Sequence, residues 1–339
     1  MNRTGLIARG LAGSLLGALL MLAPHAARAQ EQVAFSARDT GSGREFSYQL
    51  RNEYTGDVVP IRFTLRQADL KNMNEGLSPV ADLQASALPK VIDKGNQRCA
   101  EIAERYNHRA SCTVSATPSG SYEVRMRYLK GVDRAAVERD VKHMMSELQA
   151  LQDKAVEDGS YSVNRGRDGV GVISFNYAAV AKRAVNPMAP AARAIKSAPM
   201  AISQTTNTLR IQLSRAIAFM QAIPYQRLGK QRSTGMGFLP PLAVISENRG
   251  DCDSKSVAFA AMVHTIAPDT PVAIILVPGH ALVGLGIPVQ KGDATLMSGG
   301  LTYVLAEPVG PAPARIGMIG PISQSGLKRS SDVQVLRVF

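Results

Sequence analysis

The stretch Arg249-Gly250-Asp251-Cys252-Asp253-Ser254-Lys255-Ser256 decides how the chain is interpreted, because a tight glycine turn in it leads into a cysteine. Apolar residues follow at helical spacing until Pro268, which predicts a helix that begins at Cys252. A cysteine in the first turn of a helix lies near unpaired backbone N–H groups and the positive end of the helix dipole. Both favour the thiolate over the thiol. The stretch therefore predicts a nucleophilic cysteine.

Downstream strands carry the partners that a nucleophilic thiol needs. The apolar run 272–277 predicts a buried strand, and a second strand begins at His280 after a Pro-Gly turn. A third strand, over 301–306, ends at Glu307. The order of Cys, His and carboxylate fits the nucleophile, base and orienting acid of thiol catalysis. Asp293 is a rival for the acid, although Gly-Asp at that point is typical of a hairpin turn.

Three short motifs resemble those of a bacterial transglutaminase-like domain, a relative of the papain-like cysteine peptidases. They are Gly250-Asp251-Cys252-Asp253-Ser254-Lys255, Pro278-Gly279-His280-Ala281 and Ala306-Glu307-Pro308. Upstream, the segment 219–225 is similar to the one that precedes the cysteine in that family. The resemblance covers about residues 170 to 320. The chain departs from the family pattern at Ala281, where a bulky aromatic is frequent, and at Glu307, where Asp is usual.

The resemblance implies an α+β fold in which the helix that carries the cysteine packs on an antiparallel sheet. It also implies acyl transfer through a thioester, with Cys252, His280 and Glu307 as the triad. The backbone N–H of Cys252 is one expected oxyanion donor. Tyr225 is the first candidate for the second donor, and Gln221 is the other. Hydrolysis of an amide, by a cysteine peptidase or amidase, is favoured over transglutaminase-type transfer to an amine. A non-catalytic envelope binding or assembly module is the competing interpretation.

The first 29 residues predict a cleaved secretory signal peptide. Arg3 and Arg9 precede an apolar run over 11–23, and Ala27-Arg28-Ala29 offers a small-x-small cleavage site. The run is too short to span a membrane, and no later stretch is long enough to do so. We therefore expect a periplasmic or secreted protein without a membrane span.

The charge and composition argue against nucleic-acid binding. The chain has a net charge of +12, but its basic residues are scattered, Trp is absent and aromatics are few. Such a chain lacks the aromatic platform on which single-stranded nucleic acids stack. The positive charge fits attraction to an anionic cell envelope. The expected partner is a protein or peptide substrate in that envelope.

The chain has three cysteines, and two of them suit a disulfide. Cys99 and Cys112 lie close in sequence, and in an oxidising compartment they are expected to pair and leave Cys252 free. No spacing typical of a zinc site is present. Calcium near Asp251 and Asp253 is an alternative, but the helix dipole explains these acids equally well. No cofactor or metal is therefore expected.

The length suggests two domains after the signal peptide. We predict an N-terminal α+β module of unknown function over 30–158 and a catalytic domain over 203–320. Between them, a linker and Ala/Pro-rich segment occupies 159–202, and a tail follows over 321–339. In the Ala/Pro-rich part, 187–199, we expect a surface loop with one short helix.

Within the first module, the pattern predicts two hairpins and two helices. Apolar residues alternate over 46–50 and 61–65, and again over 112–116 and 122–128. A first helix is expected over about 96–106. A second helix is capped by Asp133 and ends by Gly159, with an apolar stripe of Val137, Val141, Met144, Leu148 and Leu151. In the catalytic domain, a long helix from about 203 to Pro224 is expected to pack beside the Cys252 helix.

Overall fold

A computed structural model describes residues 31–52, 55–74, 77–166, 170–200, 207–228, 237–310 and 315–339. These residues form helices and antiparallel sheets, so the predicted α+β class is confirmed. The predicted signal peptide over 1–29 lies outside the described residues. Within the described ranges, no helix has the length and apolar character that a membrane span requires.

The chain begins with a three-stranded antiparallel sheet. Its strands are β1 (Glu31–Asp39), β2 (Gly43–Arg51) and β3 (Val58–Arg66), in that order, and a short helix α1 (Gln67–Lys71) follows. The β2–β3 pairing confirms the first predicted hairpin. Alternate side chains on these two strands are buried, so one face of the sheet is apolar: Phe46, Tyr48, Leu50, Ile61, Phe63 and Leu65.

A second unit has a hydrophobic core of its own. It consists of α2 (Val80–Arg105), the hairpin β4 (Ala110–Ala116) and β5 (Tyr122–Tyr128), and α3 (Arg134–Asp158). The second predicted hairpin is confirmed, and α2 is much longer than the predicted helix. Asp133 caps α3 by accepting a hydrogen bond from the N–H of Ala136, as predicted.

The structure joins Cys99 on α2 to Cys112 on β4. Their Cα atoms are 5.1 Å apart, and 13 positions separate them in the sequence. A loop of that size reduces the entropy of the unfolded chain and so contributes about 3 kcal/mol to stability. Cys252 is free.

Within the predicted linker over 159–202, most of the described residues belong to strands and a helix. A small hairpin, β6 (Tyr161–Arg165) and β7 (Gly171–Phe175), leads into α4 (Tyr177–Ser197). The expectation of a loop with one short helix over 187–199 is wrong, although α4 contains two prolines, each of which removes a helical hydrogen bond. One face of α4 is buried and packs on the Cys252 helix, which offsets that loss: Val180, Ala181, Ala184, Met188, Ala191, Ala192 and Ile195.

The remaining elements build the part of the fold that carries Cys252. They are α5 (Thr208–Ala222), α6 (Pro241–Ser246), α7 (Cys252–Ile266), β8 (Val272–Val277), β9 (His280–Leu285), β10 (Thr295–Ser298), β11 (Leu301–Ala306), α8 (Pro321–Leu327), a 3-10 turn (Ser330–Asp332) and β12 (Gln334–Arg337). The five strands form an antiparallel sheet in the order β10-β11-β9-β8-β12. As predicted, α5 packs beside α7, and α7 in turn packs on β8 and β9.

The hydrophobic cores do not follow the predicted domain boundaries. The apolar face of the first sheet lies in one core with α4, α5 and α7. Tyr48 illustrates the contact, because its hydroxyl donates to the carbonyl of Ile245 at 2.6 Å and its ring lies 4.8 Å from that of Phe219. A three-stranded sheet needs a partner for its apolar face, and these helices supply one. The expected tail over 321–339 contributes β12, which extends the second sheet beyond β8.

Candidate active site

The first turn of α7 fixes the position of Cys252. Asp251 is the N-cap, and its carboxylate accepts a hydrogen bond from the N–H of Ser254 at 3.3 Å. Gly250 forms a parallel bridge with Tyr225, which holds the preceding turn. Cys252 is the first helical residue and is partly exposed, whereas most of the helix behind it is buried. The thiol is therefore presented at the edge of a rigid element.

His280 and Glu307 lie at the ends of neighbouring strands of the second sheet. Glu307 follows β11, which pairs with β9, and His280 is the first residue of β9. The Nε2 atom of His280 lies 2.7 Å from Oε1 of Glu307, and the two side chains are only 10% and 6% exposed. Cys252 also lies close enough to His280 to raise the pKa of the imidazole. Because Nε2 is occupied by Glu307, Nδ1 is the ring nitrogen left for the sulfur.

The hydrogen bonds of this triad control the charge of His280. Burial by itself lowers the pKa of His280, but hydrogen bonds to Cys252 and Glu307 and their negative charges raise it to about 9. Burial raises the pKa of Glu307, and the hydrogen bonds from His280 and the backbone of Gly320 outweigh it, so the net shift is downward. The imidazole is therefore held as an imidazolium between two acceptors at neutral pH.

Replacing Glu307 by glutamine is expected to lower the pKa of His280 from about 9, because one of its two stabilising negative charges is removed. The pKa above the ordinary 6.5 also means that protonated His280 stabilises the fold fully below pH 6.5. That contribution is lost as the pH rises to about 9. NMR titration of the imidazole protons measures the shift. An unchanged His280 titration in the glutamine variant would contradict the pairing.

Glu307 itself is held from two sides. Its Oε2 accepts a hydrogen bond from the N–H of Gly320 at 2.6 Å, and its main-chain oxygen accepts one from Nε2 of Gln221 at 2.7 Å. The rival acid, Asp293, is used elsewhere, since both its oxygens accept hydrogen bonds from the buried guanidinium of Arg210 at 3.1 and 2.8 Å. The structure thus brings Glu307, and not Asp293, to His280.

The two candidate oxyanion donors lie in different environments. Tyr225 is 51% exposed, and its pKa is raised by partial burial and by the nearby Cys252 and Asp251. Its side chain therefore lies within electrostatic reach of the thiol. Gln221 is 4% exposed, and its amide donates to the carbonyl of Glu307. The oxyanion role of Tyr225 stays a prediction. The amide of Gln221 instead supports the backbone of Glu307, a contact that the sequence did not indicate.

Two acidic residues, Asp251 and Asp253, flank the thiol. Burial, followed by the hydrogen bond to Asp253, raises the pKa of Asp251 to about 7. Asp253 also accepts a hydrogen bond from the hydroxyl of Tyr177 at 2.8 Å. Throughout the described ranges, no three His, Cys, Asp or Glu side chains are grouped so that they could hold a metal ion. Tyr177, at the start of α4, is a neighbour of the site that sequence reasoning missed.

Lys255 is the second residue near the thiol that sequence reasoning did not single out. Its side chain is fully buried, and its ammonium donates to the main-chain oxygen of Ile223. Burial lowers the pKa of Lys255 to about 7, against the opposing effect of Asp251. A lysine in a helix pattern is normally taken as a solvent-exposed residue, so only its place on an otherwise buried helix could have pointed to it.

Comparison of the chain with known proteins gave no relative from which a role could be transferred. No family model, no curated protein and no solved structure matches it.

Proposed function

We propose that the protein is an exported thiol enzyme of the transglutaminase-like type that acts on amide bonds through a thioester. The observation that carries the proposal is a free cysteine at a helix start beside His280, whose pKa it raises, while His280 is hydrogen-bonded to Glu307. A cysteine, an imidazole and an orienting carboxylate in hydrogen-bond reach are the recurring parts of thiol catalysis.

In the proposed reaction, the thiolate of Cys252 attacks the amide carbonyl and forms a carbon–sulfur bond. The negative oxygen of the tetrahedral intermediate accepts hydrogen bonds from the backbone N–H of Cys252, which has no acceptor within the helix, and from the hydroxyl of Tyr225. His280 gives its proton to the leaving amine as the carbon–nitrogen bond breaks. Glu307 keeps the imidazole oriented and stabilises its positive charge.

The thioester is then resolved by a second nucleophile. Water gives up a proton to His280, adds to the carbonyl, and releases a carboxylic acid as the carbon–sulfur bond breaks. An amine in place of water would give a new amide, as in a transglutaminase. The motif resemblance to bacterial domains favours water, so a peptidase or amidase acting on proteins or peptides of the cell envelope is our first choice.

Product analysis with model substrates separates these outcomes. We expect the purified protein to cleave amide bonds in unfolded envelope proteins or glutamine peptides, and to give more acid than amine adduct in the presence of a primary amine. Mass spectrometry measures both products. The Cys252→Ala variant, in which a small side chain replaces a small one, is expected to be folded and inactive. A folded wild type that binds such proteins but neither cleaves nor modifies them would favour the non-catalytic module.

A further inference from the structure

We propose that residues 221–226, where α5 ends and the chain turns towards Gly250, form a brace that sets the distance between the nucleophile and the orienting acid. Gln221 and Lys255 are the positioning residues of this brace. The inference rests on the proposed function, because it assigns to these residues the alignment of the Cys252, His280 and Glu307 triad.

One arm of the brace holds the acid. The side chain of Gln221 is 4% exposed, and its Nε2 donates to the main-chain oxygen of Glu307 at 2.7 Å. The chain that follows Glu307 stays close to the end of α5, since a β-carbon on Gly310 would lie 3.0 Å from the carbonyl oxygen of Gln221. The backbone that carries the carboxylate is thus fixed to the last turn of α5.

The other arm holds the nucleophile. The ammonium of Lys255, one turn after Cys252, donates to the carbonyl of Ile223, the C-cap residue of α5. Below its pKa of about 7, Lys255 is a cation, and a cation at the C-terminal end of a helix satisfies an orphan carbonyl and interacts favourably with the helix dipole. The Lys255 side chain has no exposed surface, so water cannot replace this donor.

Backbone contacts complete the nucleophile arm. The N–H of Gly250 donates to the carbonyl of Pro224 at 3.3 Å, and the N–H of Gln226 donates to the carbonyl of Gly250 at 3.0 Å. Gly250 lies two residues before Cys252 and is closely packed, because a β-carbon there would lie 3.3 Å from the side chain of Lys255. The turn that presents the thiol is therefore pinned to the segment that holds the acid.

The brace matters because the triad comes from elements that are distant in sequence. Cys252 lies at the start of a helix and Glu307 follows a strand, with His280 between them. A displacement of about 1 Å between reacting groups can cost about 100-fold in rate. A shared anchor over residues 221–226 ties both ends of the triad to one rigid helix terminus.

The test compares Gln221→Met and Lys255→Met, which keep the length of the side chains and remove the donors. In each variant we expect iodoacetamide labelling of Cys252 at pH 6 to slow at least about tenfold, because the thiol and the imidazolium separate. The pKa of His280, followed by NMR, is expected to fall from about 9 towards 6.5. Circular dichroism and thermal unfolding show whether each variant is folded.

Leu213→Ala is the matched control, since Leu213 is a fully buried residue on the same helix and makes no polar contact with the site. It is expected to destabilise the protein without changing the labelling profile or the His280 titration. Folded methionine variants that label and titrate like the wild type would overturn the brace. The same losses in Leu213→Ala would overturn it too, because general destabilisation would then explain them. Gln221 and Lys255 lie on different helices, so if one variant fails to fold, the other still tests the brace.

The two proposals fail in different ways. An ordinary thiol profile for the wild-type protein, with product analysis also negative, would overturn the enzyme proposal. The brace would then still be decided by the His280 titration, which reports the position of Glu307 without any catalysis. If His280 in both methionine variants titrates with the same pKa as in the wild type, the brace is overturned, even where the wild-type protein is an active enzyme.

Discussion

Replacing His280 by alanine is expected to slow the labelling of Cys252 by iodoacetamide at pH 6 by about tenfold to 100-fold. The variant loses the imidazolium that the Cys252 and Glu307 contacts hold in place. An ordinary thiol, with a pKa of about 8.5, is less than about 1% thiolate at this pH, whereas a thiol paired with an imidazolium is largely ionised. The larger thiolate fraction speeds labelling in the wild type. Part of this increase in rate is offset because a thiolate of lower pKa is a weaker nucleophile, with a Brønsted slope of about 0.4 to 0.5.

The difference between the two proteins is expected to depend on pH in a defined direction. The pKa of His280 is raised to about 9, so the imidazolium of the wild type persists through neutral pH and is lost above that value. The advantage of the wild type should therefore be largest below pH 7 and small near pH 10. Rates measured by mass spectrometry from pH 5 to pH 10 give both profiles.

The control for this experiment is the denatured protein. In urea, both proteins should label at the same rate, which shows that the thiol itself is intact. The labelling rate of Cys252 in Glu307→Gln should fall between those of the wild type and His280→Ala. This variant removes the charged partner of Nε2 but leaves the imidazole. Coinciding profiles for the wild type and His280→Ala would separate the two residues functionally and favour the non-catalytic module.

Replacing Asp293 by alanine is expected to destabilise the fold by about 3–5 kcal/mol, because it leaves the guanidinium of Arg210 buried without its counter-charge. Both side chains of this ion pair are only 8% exposed. Arg210 lies on α5 and also donates to the carbonyl of Pro288 at 2.9 Å, while Asp293 accepts from the N–H of Gln290 at 2.7 Å. The pair thus fastens the start of α5 to the loop between β9 and β10.

Chemical denaturation with urea measures this loss of stability. Asp158→Asn is the matched control, because it removes an ion pair with Lys154 in which both side chains are more than 60% exposed, and exposed pairs contribute little. The double variant Arg210→Met with Asp293→Leu should recover much of the stability, since no unpaired charge is then left behind. A loss no larger for Asp293→Ala than for Asp158→Asn would contradict the structural role of the pair.

Local signals in the sequence were enough for many elements of the fold. The hairpins β2–β3 and β4–β5 follow from alternation, and the start of α3 follows from its Asp133 cap. The start of α7 at Cys252 follows from the glycine turn and from the apolar residues at helical spacing after it. Periodicity and caps depend on neighbours within a few residues, which is why a single sequence displays them.

The same local signals were misleading where packing prevails over propensity. Proline and alanine over 187–199 predict a loop, yet residues 187–197 form the C-terminal part of α4, one face of which is buried. Its small side chains allow close packing on α7, and this contact joins residues far apart in the chain. The sequence likewise predicts that the first sheet belongs to a separate module, but the apolar face of this sheet is covered by α4 and α5.

By itself, the sequence determined the residue types of the candidate site, the helix start that presents Cys252 and the strands that carry His280 and Glu307. Only the tertiary structure decided that Glu307 rather than Asp293 meets His280, and that Gln221, Lys255 and Tyr177 adjoin the triad. These contacts join residues 27 to 86 positions apart, and no local periodicity reports them. They form because burial leaves each polar group only the partner that folding brings to it.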